Sequence, residues 1–356
     1  MARVGAWAWG GSKRARWAAA GIALLVILVW LAVVWFGLGG HDDTDAFIDS
    51  RAPPGLAERF YPPENWAWGL IQTGAGPVQR YGVSAPAGTP RAQVLILPDY
   101  GESAETWFET ARDLNDAGNT VWVLEGVGQG GSARLTRHRD LGDVRRFDDD
   151  VAAVHAMIEI VIRPDPSQPL VILGQGQGAM VAARAVETGA SPAALVLSAP
   201  RCQGFLPDSG ALRALGLGDQ RAPGASGWRR NGADDFAAGR THDRWRGAVT
   251  HLWQFANPDL RLGGPSLNWL AAASILQSQV RADTGRLDVP TLEVSPGGAP
   301  RCLVPSGVTT QSLAGARPAL ELEDDAHRAP WLTAIEGFIV TRTRAPIPPP
   351  LGDHAP

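Results

Sequence analysis

Lysine is almost missing from this 356-residue chain: Lys13 is the only one, and arginine carries nearly all of the basic charge. With abundant Ala, Gly and Pro, that usage fits a GC-rich bacterial genome and says nothing of function. An excess of charge of either sign is missing too. The formal net charge is −4, with acids and bases interspersed, which excludes a polyanion-binding surface or an acidic tail, so no nucleic-acid partner is expected. No repeat with a period of about 20–50 residues is visible. Hydrophobic residues make up 45% of the chain, enough for one large domain and an appended segment but crowded for two.

Long apolar runs are absent except for one. Residues 17–38, WAAAGIALLVILVWLAVVWFGL, carry no charge and would span about 33 Å as a helix at 1.5 Å per residue, enough to cross a bilayer. The run exceeds the roughly 7–15 residue core of a signal peptide, and no A-x-A cleavage site follows it. Arg3, Lys13, Arg14 and Arg16 precede it, and His41, Asp42, Asp43 and Asp45 follow. That asymmetry places residues 1–16 in the cytoplasm, predicts a single-pass anchor in a bacterial inner membrane, and puts the globular part outside, in a periplasm. Trp17, Trp30 and Trp35 sit toward the ends of the span, where indole rings favour the interface.

Residues 39–74 read as a stalk or wrapping arm, with Pro53, Pro54, Pro62 and Pro63 discouraging regular structure in its first part. Residues 344–356, RAPIPPPLGDHAP, read as a disordered tail. Between these lies a domain over 75–343 in which short apolar runs alternate with longer amphipathic stretches, the signature of an α/β fold with a mainly parallel sheet flanked by helices. Strands are expected at 94–97, 120–124, 170–173, 194–198 and 291–294, and helices at 104–115, 144–161 and 179–188. Residues 205–288 break the rhythm and are expected to form a helical cap over the carboxyl ends of the strands, where such sheets bind ligands.

Six segments in order carry a resemblance. They are LPDYGESAETWFETARDLNDAG at 97–118, VLEGVGQGGS at 123–132, LGDVRRFDDDVAAVHAMI at 141–158, LVILGQGQGAMVAARAV at 170–186, LVLSAP at 195–200 and NPDLRLGGPSLNWLAAA at 257–273. Together they resemble the α/β-hydrolases of the lysophospholipase L2 and monoacylglycerol-lipase group, the serine aminopeptidase S33 type. The resemblance implies an α/β-hydrolase fold, carboxylic-ester hydrolysis by a Ser-His-Asp triad, no cofactor, and a pocket for an acyl or lipid-like small molecule.

The triad itself is eroded. Where the resemblance calls for serine at the centre of G-x-S-x-G, the pentapeptide is Gly174-Gln175-Gly176-Gln177-Gly178. Gly176 cannot form an acyl intermediate, and losing a triad serine costs roughly 10⁶ in kcat, about 8 kcal/mol. Glycine also relieves the strained backbone of the elbow by about 1–3 kcal/mol. The acid position, by resemblance, holds Ala299 or Pro300, neither of which can orient an imidazole. His327 matches the general base and is left as a remnant; Asp324 and Asp325 in its own loop are not expected to make a conventional triad contact. The oxyanion-loop positions are Asp99 and Gln177, and a carboxylate at Asp99 is expected to repel a developing oxyanion. Glu125 and Val127 replace the Asp and Arg of the family's D-x-R-G-x-G loop. These losses predict a binding pseudohydrolase. The alternative is an active lipid-ester hydrolase with a relocated nucleophile or a metal-assisted site.

Two further readings compete for the same residues. GQGQGA at 174–179 formally fits the dinucleotide fingerprint G-x-G-x-x-A, but the position about 20 residues on is Ser198 and not an acid, so no nucleotide cofactor is expected. Cys202 and Cys302 each close an APRC tetrad after a strand. In an oxidising periplasm they are read as a disulfide, with free thiols next, and zinc held by Cys202, Cys302 and His327 is conceivable although no spacing demands it. His138, His155, His242 and His251 need only surface or packing roles. No metal site is expected, and protein partners stay open.

Overall fold

The computed structural model describes residues 13–38, 45–202, 210–232, 239–303 and 307–343. Eight strands form one sheet in the order β1-β2-β4-β3-β5-β6-β7-β8. They are β1 (Ala67–Ile71), β2 (Gln79–Ser84), β3 (Ala92–Leu97), β4 (Asn119–Leu124), β5 (Leu170–Gln175), β6 (Ala194–Ser198), β7 (Thr291–Pro296) and β8 (Val308–Leu313). Only β2 runs antiparallel to its neighbours β1 and β4; every other pair is parallel. The helices used below are α1 (Lys13–Leu38), α2 (Phe108–Asp116), α3 (Asp148–Ala156), α4 (Gln177–Glu187), α5 (Gly210–Ala214), α6 (Arg244–Ala256), α7 (Leu267–Asp283) and α8 (Asp325–Thr343).

The central strands are apolar because both faces are covered. On one face Leu95, Leu97, Ile172 and Leu195 pack with Val154, Met180, Ala183, Ala273 and Leu276, from α3, α4 and α7. On the other, Val94, Ile96, Val171 and Val196 meet Trp107, Leu114, Trp331 and Ile335, from the β3–α2 segment, α2 and α8. Every strand and helix named from the sequence is present, with ends shifted by a few residues. The helix expected at 144–161 divides into α3 and a π-helical turn, Met157–Ile162, which ends on Arg163 in the left-handed region, φ 47°.

The arm at 39–74 differs from expectation, because its end is a strand. β1 pairs with β2, and before it the Phe47 N–H donates to the Gly131 carbonyl at 3.0 Å while Arg51 N–H donates to Asn257 Oδ1 at 2.6 Å, so the segment wraps the domain. Within 205–288, α6 stands over the β3–α2 loop, with Gln254 Nε2 donating to the Gly101 carbonyl at 3.3 Å and Thr250 Oγ1 3.0 Å from Thr106 Oγ1. By contrast α7 lies beside α4 in the sheet-flanking layer. The tail at 344–356 lies outside the described residues.

The run at 17–38, read as a membrane span, is helical, as α1; among the described residues no helix is long and apolar enough to cross a membrane.

Candidate functional site

The chain turns from β5 into α4 at Gln175-Gly176-Gln177. Gly176 has φ 54° and ψ −112° and caps α4, a backbone that residues with a Cβ adopt only under strain. Gly178 is required by close approach, since a Cβ there would stand 2.1 Å from the Leu97 carbonyl oxygen. This is the geometry of a nucleophile elbow, a side-chain position exposed at the strand end beside a helix N-terminus.

That position is filled from outside the elbow. A Cβ on Gly176 would lie 2.2 Å from Asp99 Cγ, 2.3 Å from its Oδ1 and 2.6 Å from its Oδ2. The Asp99 carboxylate, delivered by the loop after β3, therefore sits where a nucleophile's side chain would be. The Gln177 N–H, the amide that in such elbows faces an oxyanion, donates to Asp99 Oδ1 at 2.8 Å. The Asp99 N–H is spent on Glu102 Oε2 at 3.0 Å. The sequence suggested repulsion of an oxyanion; the structure shows a resident carboxylate on the oxyanion donor.

Charge balance keeps it there. Arg201 Nη2 lies 2.6 Å and Arg240 Nη2 3.3 Å from Asp99 Oδ2, and Arg240 also reaches Glu102 Oε1 at 3.0 Å. Burial pushes the Asp99 carboxyl up, but the two guanidiniums and backbone N–H bonds outweigh it and hold the group below its ordinary value. Glu102 and Glu321 go the other way, raised by burial and, for Glu321, by the neighbouring charge of Glu102. Four partners, Glu102, Arg201, Arg240 and Glu321, thus surround the old nucleophile position. None was singled out in the sequence, and only Arg201, inside the repeated APRC tetrad, carried any local signal.

His327 sits in the first turn of α8, its Nδ1 2.7 Å from Asp324 Oδ1. A conventional triad contact was not expected of Asp324; the contact it makes is local, the i,i+3 spacing at the helix start bringing the two together. His242, dismissed as a surface residue, stacks on His327 with ring centroids 5.2 Å apart, and its Nδ1 lies 2.9 Å from Glu323 Oε1. Ala299 and Pro300, at the acid position, line a cleft of about 460 Å³ together with Asp99, Arg201, Arg240 and Cys202. Cys202 and Cys302 form a disulfide with Cα atoms 5.4 Å apart, so their sulfurs cannot join His327 around zinc. Glu125 has become structural: it ion-pairs with Arg80 at 2.6 Å and accepts from the Ala104 and Gly131 amides at 2.7 Å each.

Behind the elbow lies a cavity of about 30 Å³ lined by Tyr100, Gln129, Asp150 and Gln177, room for one water. Asp150 Oδ2 has no protein partner among the described residues, and burial raises this carboxyl from 3.8 to about 7 against the pull of the Val127 N–H. A raised folded-state pKa gives stability that is complete below the unfolded value and is lost as pH rises toward 7. Asp150→Asn should therefore remove roughly 2–4 kcal/mol of pH dependence between pH 4 and 7. Denaturant midpoints measured across that range should converge at low pH and separate at neutral pH in favour of the variant; parallel curves would exclude the assignment.

Residues 88–299 match the family described as serine aminopeptidase, S33. The chain belongs to this family. Over 214 residues it is 30% identical to lysophospholipase L2 of Escherichia coli strain K12, a match covering 56% of this chain and 61% of that protein, so it spans about three fifths of the relative's length. Among solved structures, two with a similar fold are a soluble variant of monoglyceride lipase from Saccharomyces cerevisiae and a monoacylglycerol lipase from Paleococcus ferrophilus. The first has TM-score 0.60 at 15% identity, covering 83% of this chain and 100% of that one. The second has TM-score 0.56 at 15% identity, covering 74% and 99%. At these identities the likeness shows the α/β-hydrolase fold, in agreement with the strand order and elbow above.

Proposed function

We propose that this S33 member is a pseudohydrolase, a protein that uses the inherited cleft to bind an acyl or lipid-like small molecule without cleaving it. One observation carries the reading: the Asp99 carboxylate takes the volume of the nucleophile side chain and the Gln177 amide with it. With no Oγ at Gly176, the His327–Asp324 pair has no nucleophile to deprotonate. The cleft suits an acyl chain, since Ala199, Pro200, Pro296 and Pro318 line it beside the two arginines. The second reading, a lipid-ester hydrolase with a relocated nucleophile or a metal-assisted site, is favoured only by the persistence of that His327–Asp324 pair.

The same proposal places the protein in a bacterial inner membrane, anchored once through residues 17–38 with its N-terminus inside and its domain in the periplasm. Support comes from the uncharged run, from Ile22, Leu24, Leu25, Val26, Ile27 and Leu28 all being more than half exposed on α1, and from the Cys202–Cys302 disulfide, which suits an oxidising compartment.

The test is binding of a fluorescent medium-chain fatty acid to the full-length protein in detergent. Saturable binding is expected, weakened about tenfold or more by Ala299→Trp, which fills the cleft mouth and would cost about 1.4 kcal/mol in affinity. Absence of saturable binding would remove the ligand from the proposal.

A further inference from the structure

We propose that His242, His327 and Asp324 form a binding site for a divalent metal ion of zinc type where the segment entering α6 meets the loop before α8. One nitrogen from each histidine and a carboxylate oxygen of Asp324 lie within 4.8 Å of one another. A tetrahedral zinc ion with bonds of about 2.0–2.2 Å needs its ligand atoms about 3.3 Å apart. The widest of these separations must close by up to about 1.5 Å and the 2.7 Å His327–Asp324 pair must open by about 0.6 Å, and all three side chains have room to do so, with 35%, 25% and 39% exposure for His242, His327 and Asp324.

A buried carboxylate orients one of the two histidines, as carboxylates behind metal-binding histidines do. His242 Nδ1 lies 2.9 Å from Glu323 Oε1, and Glu323, wholly buried, is itself fixed by the His242 N–H at 2.7 Å and the Arg317 N–H at 2.5 Å. A carboxylate taking the Nδ1 proton leaves the Nε2 lone pair of His242 for an ion and locks the ring's orientation. His327 offers Nδ1, 2.7 Å from Asp324 Oδ1, so the ion takes the place of the proton those two atoms share. Binding then forms two N–metal bonds and one O–metal bond; a neutral His327 keeps its one proton by holding it on Nε2, and the imidazolium form gives its Nδ1 proton to solvent. Two imidazoles and one carboxylate are a donor set that zinc favours, and three protein ligands leave a fourth position for water.

The site would do something specific in this fold. His242 lies two residues beyond Arg240, which ion-pairs with Asp99 and Glu102, while His327 and Asp324 belong to the start of α8. A bound ion would thus tie the strand of chain entering α6 to the α8 loop, at the rim of the cleft. The inference stands apart from the pseudohydrolase reading, since an ion can bind there whether or not esters are cleaved.

The experiment is calorimetric titration of Zn²⁺ into the full-length protein in detergent, free of any polyhistidine tag, beside His242→Ala, His327→Ala, Glu323→Gln and a His138→Ala control. One ion per chain is expected, with proton release from the imidazolium form visible as a dependence of the heat on buffer. His242→Ala and His327→Ala should each weaken binding by about 100-fold or more, and Glu323→Gln by roughly 10–100-fold; His138→Ala should bind as the parent does. Thermal melts without zinc identify any variant that has lost its fold, and Co²⁺ should give the visible absorption of a tetrahedral ion in the parent only. No saturable binding in the parent, or an affinity equal to the parent's in both histidine variants, would overturn the site.

Discussion

Gly176→Ser alone is expected to leave the protein without esterase activity, whereas Gly176→Ser combined with Asp99→Gly should produce labelling by a fluorophosphonate and measurable ester turnover. The reason is spatial before it is chemical. A Cβ at Gly176 meets Asp99 Cγ at 2.2 Å, so a serine must either expel the carboxylate or abandon the elbow, at φ 54°. Even if it forms, its oxyanion donor at Gln177 is already bonded to Asp99 Oδ1 at 2.8 Å. Removing one oxyanion donor from an active hydrolase costs about 10²–10³ in kcat, so freeing this amide should raise the double variant at least about 10²-fold above the single one. The change has a stability cost: Arg201 and Arg240 lose their partner at Asp99 Oδ2, and breaking such a buried pair costs about 3–5 kcal/mol, less where Arg201 reaches solvent. If Gly176→Ser alone were labelled as fast as the double variant, Asp99 would not be the obstruction described here.

Loss of the Cys202–Cys302 disulfide is the second large effect. It closes a loop of 100 residues in sequence separation, for which the chain-entropy argument gives up to about 4.7 kcal/mol. The paired variant Cys202→Ser with Cys302→Ser is the cleaner test, since it leaves no free thiol; its unfolding free energy should fall by that order, with a lower denaturant midpoint and a steeper slope as the unfolded chain expands. The bond also joins the loops after β6 and β7, and Cys202 lines the cleft beside Arg201, so ligand affinity should fall with stability. A midpoint that does not move on reduction or substitution would show that other contacts already fix the two loops.

Much of the sheet was legible because its central strands are buried on both faces and so read as short apolar runs, as in Ala92–Leu97 and Leu170–Gln175. The edges were not. β2, beside the edge strand β1, buries Gln79 and Arg80, and Arg80 is wholly buried between Glu105 and Glu125 at 2.8 and 2.6 Å; burial by ion pairing leaves no hydrophobic trace. β8, at the other edge, reads VTTQSL and keeps most of its side chains partly or fully exposed, so periodicity carries little weight there.

The site divides in the same way. Gly176 announced itself because a motif fixes its place by spacing, and His327 through its match to the family's general base. The role of Asp99 depends on a contact across 78 residues to Gln177 and on arginines 102 and 141 residues away, which no local pattern encodes. The reach of Asp324 to His327 is a local i,i+3 contact, made because α8 begins at Asp325 and carries His327 in its first turn.

The most direct test of the pseudohydrolase proposal is hydrolysis of short- and medium-chain p-nitrophenyl esters by the unmodified full-length protein, with His327→Ala beside it. The account predicts rates at the level of buffer for both proteins. Turnover by the unmodified protein that disappears in His327→Ala would contradict it and point to a working nucleophile elsewhere in the cleft.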